Sequence, residues 1–338
     1  MACVAETDTS NSTSHEAGGV QLVALLWAVA PRVVGVAAAI AVGLTLANLA
    51  VAFGAVDYVA RFATPLTGPA NLPDEVGTAI LATTASPTAG YGMLKEYRDA
   101  GVLSDRATLV AITINTFFGF VQHIFTFYAP VLLPILGLRL GLMYVGARAA
   151  VSLGITAAGV LAGAVVLSED DVASASDAGV TMPGEDAADE STRETVAGAL
   201  TKTGGKLKTL VPRLAVVYAA VVFLTETYDV TAFTAAAEPL TSVLGLPGVA
   251  VPAVATFAVD TTTGAIFIAP HVPGEFTAGE AVATMLVGGI VSFAVSTFKR
   301  SIPFQYGIWG ARFGSKVIAV NIAAKVVFIS AAIAVLLV

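Results

Sequence analysis

The chain has 338 residues, 56% of them apolar and only 12% charged, with a mean hydropathy of +0.83 and a formal net charge of −7. A soluble domain carries about 25% charged residues, so this composition excludes an ordinary water-soluble globule, and the acidic balance excludes a nucleic-acid binder. It implies an all-α integral membrane protein, multi-pass, in the cell membrane, with the lipid bilayer as its surroundings.

In chain order, residues 1–20 are rich in Ser, Thr and acidic side chains and read as a disordered tail. No basic run precedes an apolar core there, so no secretory signal is expected. Cys3, the single cysteine, indicates neither a disulfide nor a lipoprotein anchor. Apolar stretches long enough to cross a bilayer, about 20 residues each, lie near 33–53, 108–130, 141–167, 212–228, 281–298 and 314–338. A shorter pair, near 75–93 and 249–268, is interrupted by Pro87 and by Pro252 and Gly264. The stretch 169–195 carries much of the negative charge and reads as disordered. The chain thus divides into the tail 1–20, a membrane unit 21–168, an acidic linker 169–208 and a second membrane unit 209–338.

The two membrane units echo each other. Pro65-Leu66-Thr67 and Leu72-Pro73 recur 174 residues later as Pro239-Leu240-Thr241 and Leu246-Pro247, and Gly90, closing Ser86-Pro87-Thr88-Ala89, recurs at the same offset as Gly264, closing Asp260-Thr261-Thr262-Thr263. Leu136-Gly137-Leu138-Arg139-Leu140-Gly141 reappears as Trp309-Gly310-Ala311-Arg312-Phe313-Gly314 at 173 residues, and Pro31-Arg32 answers to Pro212-Arg213. A fixed offset through Pro, Gly and Arg at unequal spacings argues for internal duplication. Lys95, Arg98 and Arg106, then Lys202, Lys206 and Lys208, then Lys299, Arg300 and Lys316 share a cytoplasmic side if cationic loops stay inside. Three crossings plus one interrupted, re-entrant segment per unit satisfy this, with both termini outside and the linker inside. An odd number of crossings makes the second unit upside down, the inverted repeat of secondary transporters. Arg32, Arg139 and Arg148 run against that arrangement.

The interruptions carry the chemistry. A mid-membrane break frees backbone N–H and C=O groups that lipid cannot satisfy, so it persists only where protein, water or ligand does so. Ser86, Thr88 and Gly90 on one side and Thr261, Thr262, Thr263 and Gly264 on the other are therefore candidate substrate-binding residues, with Asn115 and Gln122, seven apart on one face of an apolar span. Asp260, a carboxylate at depth, and Lys325, well inside the last span, are candidate ion-coupling residues for Na⁺ or H⁺. Asp260, Glu226 or Asp229 supplies the counter-ion that Lys325 needs. His123 is a candidate proton relay, although a histidine hydrogen-bonded between helices is commoner. The plain alternative for the breaks is that these residues cap re-entrant helix ends and bind nothing.

Glu238-Pro239-Leu240-Thr241-Ser242-Val243-Leu244-Gly245-Leu246-Pro247, followed by a Thr-rich, Gly-terminated break, resembles the nucleoside-recognition or Gate domain, and Pro65 to Gly90 resembles it too. That domain is shared by concentrative nucleoside transporters, the membrane part of ferrous-iron transporter B, spore maturation proteins A and B, and an archaeal branch of uncharacterised membrane proteins. The resemblance implies two Gate-like repeats of re-entrant hairpins with a polar site between them. It makes a nucleoside or nucleobase the candidate solute, although the substrate-binding signature of the nucleoside carriers is absent. No Ser-His-Asp order, zinc spacing, Walker loop or dinucleotide fingerprint occurs in a fitting context, so no enzyme and no cofactor is expected. The function expected is secondary transport of a small polar solute by a candidate homo-oligomer. The alternative, which the spore-maturation resemblance permits, is a non-transporting scaffold or partner subunit.

Overall fold

The computed structural model describes residues 64–173, 244–297 and 301–338 without interruption, together with parts of 30–49 and 196–219. All regular structure among them is helical apart from one isolated bridge between Leu103 and Val172. The helices are α1 (Val33–Leu46), α2 (Asp74–Ala85), α3 (Pro87–Asp99), α4 (Asp105–Ile114), α5 (Thr116–His123), α6 (Leu138–Val166), α7 (Ala250–Val259), α8 (Thr261–Ile268), α9 (Ala278–Ser296) and α10 (Ile302–Leu336). Among the described residues, three helical stretches are long and apolar enough to cross a membrane: Asp105–Leu136, Leu138–Val166 and Ile302–Leu336. Their outward faces fit lipid rather than water. Leu161, Val165, Val327 and Val335 are 67%, 84%, 63% and 77% exposed, an apolar surface that a water-soluble chain would bury.

The breaks fall where Pro, Gly and polar residues interrupt the apolar pattern. Ser86 separates α2 from α3 in an extended conformation (φ −148°, ψ 111°), and Asp260 separates α7 from α8 in nearly the same one (φ −160°, ψ 134°). Each hairpin then closes on a glycine. A Cβ on Gly90 would stand 2.6 Å from the Ala79 carbonyl oxygen and collide with the Thr83 hydroxyl, while one on Gly264 would stand 2.8 Å from the Phe257 Cα. Thr83 and Phe257 lie at the same 174-residue offset as the glycines they face. The chain also enters α6 and the long part of α10 alike: Gly137 has φ 75° and ψ 163°, Gly310 φ 71° and ψ 163°, a region open essentially to glycine alone.

The span Asp105–Leu136 is not one α-helix. It bends at Asn115 and runs as a π-helix over Ile124–Leu132, where Pro130 removes a donor and the Leu133 N–H reaches back to the Tyr128 carbonyl. Two cores result. One gathers α2, α3 and α4 around Ile80, Leu94 and Phe118; the other gathers the π-helical stretch and α6 to α9 around Tyr144, Phe257 and Phe276. Of the stretch read as a linker, Glu169–Asp171 forms a 3₁₀ turn pinned to the α3–α4 connection. Ser104 Oγ donates to Asp171 Oδ1 at 2.7 Å, and Ala173 N donates to the Val102 carbonyl at 2.9 Å. The Ser104 hydroxyl and the Ser168 N–H hold the Asp171 carboxyl below the usual range. Helical turns are described at 196–198 and 203–205, and residues 174–195 lie outside the described residues. So do most of the 212–228 span, the Pro239-Leu240-Thr241 motif, Glu226 and Asp229.

Closure of the first hairpin is testable at two glycines of one helix. Inserting a methyl into a packed contact costs about 1–3 kcal/mol, whereas Gly92 has nothing within 4 Å of its would-be Cβ. Gly90→Ala is therefore expected to melt below the wild-type chain in detergent and Gly92→Ala at or above it. Equal melting of the wild type and Gly90→Ala would count against the close contact.

Candidate functional site

The site is best built outward from the second break. Because Asp260 adopts extended backbone just before α8, its carboxylate folds over the helix start. Oδ1 accepts from Thr262 N at 3.0 Å, Thr263 N at 3.1 Å and Thr263 Oγ1 at 3.3 Å. These are the orphan donors that every helix N-terminus leaves, and a negative charge there also meets the positive end of the helix dipole. At the first break, Ser86 Oγ accepts only from Ala89 N, at 3.3 Å.

A cavity of about 530 Å³ opens beside Asp260, lined by Thr261 and Thr262 from α8, by Arg148 and Tyr144 from α6, by Phe293 and Ser292 from α9, and by Lys325 from α10. The π-helical stretch adds Thr126, Phe127 and Tyr128, and His123 precedes it. This volume falls in the range of about 300–1,000 Å³ typical of small-molecule sites. Lys325 Nζ lies 4.0 Å from the centre of the Phe293 ring, a cation–π contact that partly replaces lost hydration. Arg148 lines the cavity together with Tyr128 and Tyr144, and its Nη1 lies 3.6 Å from where a Gly289 Cβ would be. Tyr128 stacks edge-on with Tyr144 at 6.1 Å, and Tyr144 with Phe257 at 6.3 Å. An aromatic row thus runs from the cavity wall to the closure of the second hairpin.

Of the residues expected from the sequence, Asp260, Thr261, Thr262 and Lys325 line this cavity together, and His123 joins them with Nδ1 3.0 Å from the Gly119 carbonyl oxygen. Thr263 is held by the Asp260 cap, and Gly264 is buried against Phe257. The other candidates sit elsewhere. Ser86 is half-buried at its break, Thr88 is exposed and Gly90 is buried against α2. Asn115 is buried and donates from Nδ2 to Thr83 Oγ1 at 2.9 Å, which fastens the α4–α5 bend to the first hairpin, while its Oδ1 has no partner. Gln122 is half-buried, and its carbonyl accepts the Thr126 hydroxyl at 3.0 Å. A smaller pocket of about 90 Å³ lies on the other side of Lys325, lined by Tyr91, Phe293, Gln305 and Asn321 among others. Tyr91 follows Gly90, so Lys325 and Phe293 stand between the main cavity and the helix that leaves the first break.

The sequence reading missed Arg148 as a site residue and placed it among the charges that fit the loop rule badly. An arginine inside an apolar stretch is itself the signal of a functional position. Tyr128 and Tyr144 were missed because the π-helical turn, which sets the direction of Tyr128, leaves little trace in composition.

No family model and no solved structure matches the chain. Two relatives from Methanocaldococcus jannaschii do. Uncharacterized protein MJ0871 is 27% identical over 249 residues, 73% of this chain and 74% of the relative. Uncharacterized protein MJ0880 is 23% identical over 287 residues, 83% of this chain and 89% of the relative.

The cap separates shape from charge at Asp260. Removing an N-cap acceptor costs about 0.5–2 kcal/mol, so Asp260→Ala is expected to lower the melting point in detergent, whereas Asp260→Asn keeps an oxygen for the same N–H groups and should lie closer to wild type. Indistinguishable melting of the Ala variant and the wild-type chain would show that the cap contributes nothing.

Proposed function

We propose that the chain is a multi-pass cell-membrane protein acting as a secondary, ion-coupled transporter of a small polar solute, bound in the cavity beside the second break. The observation that carries this reading is the joining of Asp260, Thr261 and Thr262 of a broken helix to Lys325 of a spanning helix around one space of about 530 Å³. Lys325 falls near the middle of the helical run 311–336 that follows the Gly310 kink. A charged group at the centre of a crossing helix costs about 2.5–3.5 kcal/mol on insertion scales, so Asp260 and Lys325 at one cavity wall are an expense that transport chemistry accounts for. Asp260 is the coupling residue for Na⁺ or H⁺, and Lys325 offsets its charge when the cation leaves. A nucleoside or nucleobase remains the solute that the Gate resemblance suggests.

The chain further consists, in this reading, of two Gate-like inverted repeats, 21–168 and 209–338. What supports it is local: matched backbone at Ser86 and Asp260, matched closures at Gly90 and Gly264, and the shared glycine conformation at Gly137 and Gly310.

Two experiments test these proposals. Protease- or label-accessible tags placed near residue 180 and at the C-terminus should report opposite sides of the membrane; the same side would refute the inverted arrangement. In proteoliposomes with Na⁺ and proton gradients imposed separately, the wild-type chain should accumulate a solute from a polar panel, and Asp260→Asn should abolish gradient-driven uptake while melting normally. Unchanged uptake by the variant would remove Asp260 from the mechanism. A variant that fails to fold and is restored by Lys325→Met would make the pair structural and favour the scaffold reading.

A further inference from the structure

Among the described lining residues, the main cavity carries Arg148 and Lys325 against a single carboxylate, Asp260. With His123 counted neutral, the formal balance is one positive charge. The Asp260 charge is already directed at the start of α8, where Oδ1 takes three donors. The two cations stand on one face of α9: Arg148 meets it at Gly289, where the missing side chain gives the guanidinium room, and Lys325 meets it at Phe293, one turn further on. One turn of helix rises about 5.4 Å, and both side chains line the same cavity. Like charges this near, in a setting less polar than water, repel strongly, and an anion between them turns repulsion into two attractions. The surrounding hydroxyls of Thr261, Thr262 and Ser292 can donate to oxygen acceptors, whereas Phe127, Ile290, Val326 and Ile329 offer an apolar wall.

We propose that the solute taken by this cavity is a small organic monoanion: a carboxylate headgroup held between Arg148 and Lys325, with an apolar body against Ile290 and Ile329. Arginine presents a planar fork that fits a carboxylate with two parallel hydrogen bonds, and lysine adds a point charge. One negative charge brings the described lining to neutrality. A neutral nucleoside would leave one positive charge of the lining uncompensated, and a cationic amine would raise that excess to two. The inference rests on the transport reading only for what the cavity is used for, since the binding itself does not require transport.

The test uses the purified full-length chain in detergent and three isosteres that differ in charge: benzoate, benzamide and benzylamine, with isovalerate as a second monocarboxylate and uridine as the neutral polar solute. Binding is read as saturable thermal stabilisation and by calorimetry. The carboxylates are expected to stabilise the protein, with benzamide, benzylamine and uridine without effect, and Lys325→Met and Arg148→Lys should each weaken carboxylate binding about tenfold or more, roughly 1.4 kcal/mol. Arg148→Lys keeps the charge and removes the fork, so it should report geometry even if neutral substitutions at Arg148 fail to fold. The proposal is overturned if neither carboxylate binds better than benzamide, or if uridine or benzylamine binds in its place; these wild-type comparisons decide it whatever the variants do. Uptake of the same labelled compounds into proteoliposomes separates the two ideas. Carboxylate binding without gradient-driven uptake sinks the transporter and keeps the anion site, whereas uridine uptake without carboxylate binding keeps the transporter and overturns the anion site.

Discussion

A helix interrupted inside an apolar segment must have its first N–H groups satisfied, because hydrocarbon offers no acceptor. The second break meets this demand with a single oxygen, Asp260 Oδ1, shared by Thr262 and Thr263. Much of the site geometry follows from that cap. The capped start of α8 presents Thr261 and Thr262 to the cavity and fixes the direction in which α8 returns along α7. The return brings Gly264 onto Phe257, and Phe257 is gripped from the other side by α9, where a Cβ on Gly288 would stand 2.5 Å from the Phe257 Cβ. Gly289, the next residue, is where Arg148 lies. The helix cap, the glycine closures and the placement of a half-buried cation are thus consecutive links in one packing chain. The first break shows the same constraint with a weaker solution: a serine oxygen accepts one N–H at 3.3 Å, and Pro87 supplies no N–H at the first helical position.

Much of this was legible in the sequence because Pro, Gly and polar clusters act through the backbone. The breaks fall at Ser86 and Asp260 because Pro87 has no N–H to continue a ladder and because Ser and Asp are strong cap formers. The shared conformation at Gly137 and Gly310 could be anticipated from a repeated Gly-x-Arg-x-Gly pattern, since φ near +70° with ψ near 160° admits little else. Lengths and apolarity marked α6 and α10 as spans. What the pattern could not supply was helix rotation. Asn115 and Gln122, seven residues apart, share a face on a straight helix, but the chain bends at Asn115 and becomes π-helical after His123. Asn115 is fastened to Thr83, and Tyr128 is the buried residue of this span that lines the cavity with Arg148. Arg148 is visible in the sequence as a cation inside an apolar run that the loop-charge rule does not accommodate, and the structure places it in the lining of the main cavity.

The aromatic row of Tyr128, Tyr144 and Phe257 explains how charge and apolar packing coexist in so small a volume. Edge-to-face pairs at 6.1 and 6.3 Å place ring edges against neighbouring ring faces, which favours rigid offset packing over collapse. Tyr128 is buried in the core and also lines the cavity that holds Arg148, so one side chain serves both. Phe293 does likewise for Lys325, presenting a π face to an ammonium. Lys325 is thus held by an aromatic partner that relieves part of its desolvation without neutralising it. A carboxylate partner would remove the charge from play. An aromatic partner leaves the charge in place, and this difference in kind, more than the presence of charge alone, distinguishes the Lys325–Phe293 contact from an ion pair that closes a core.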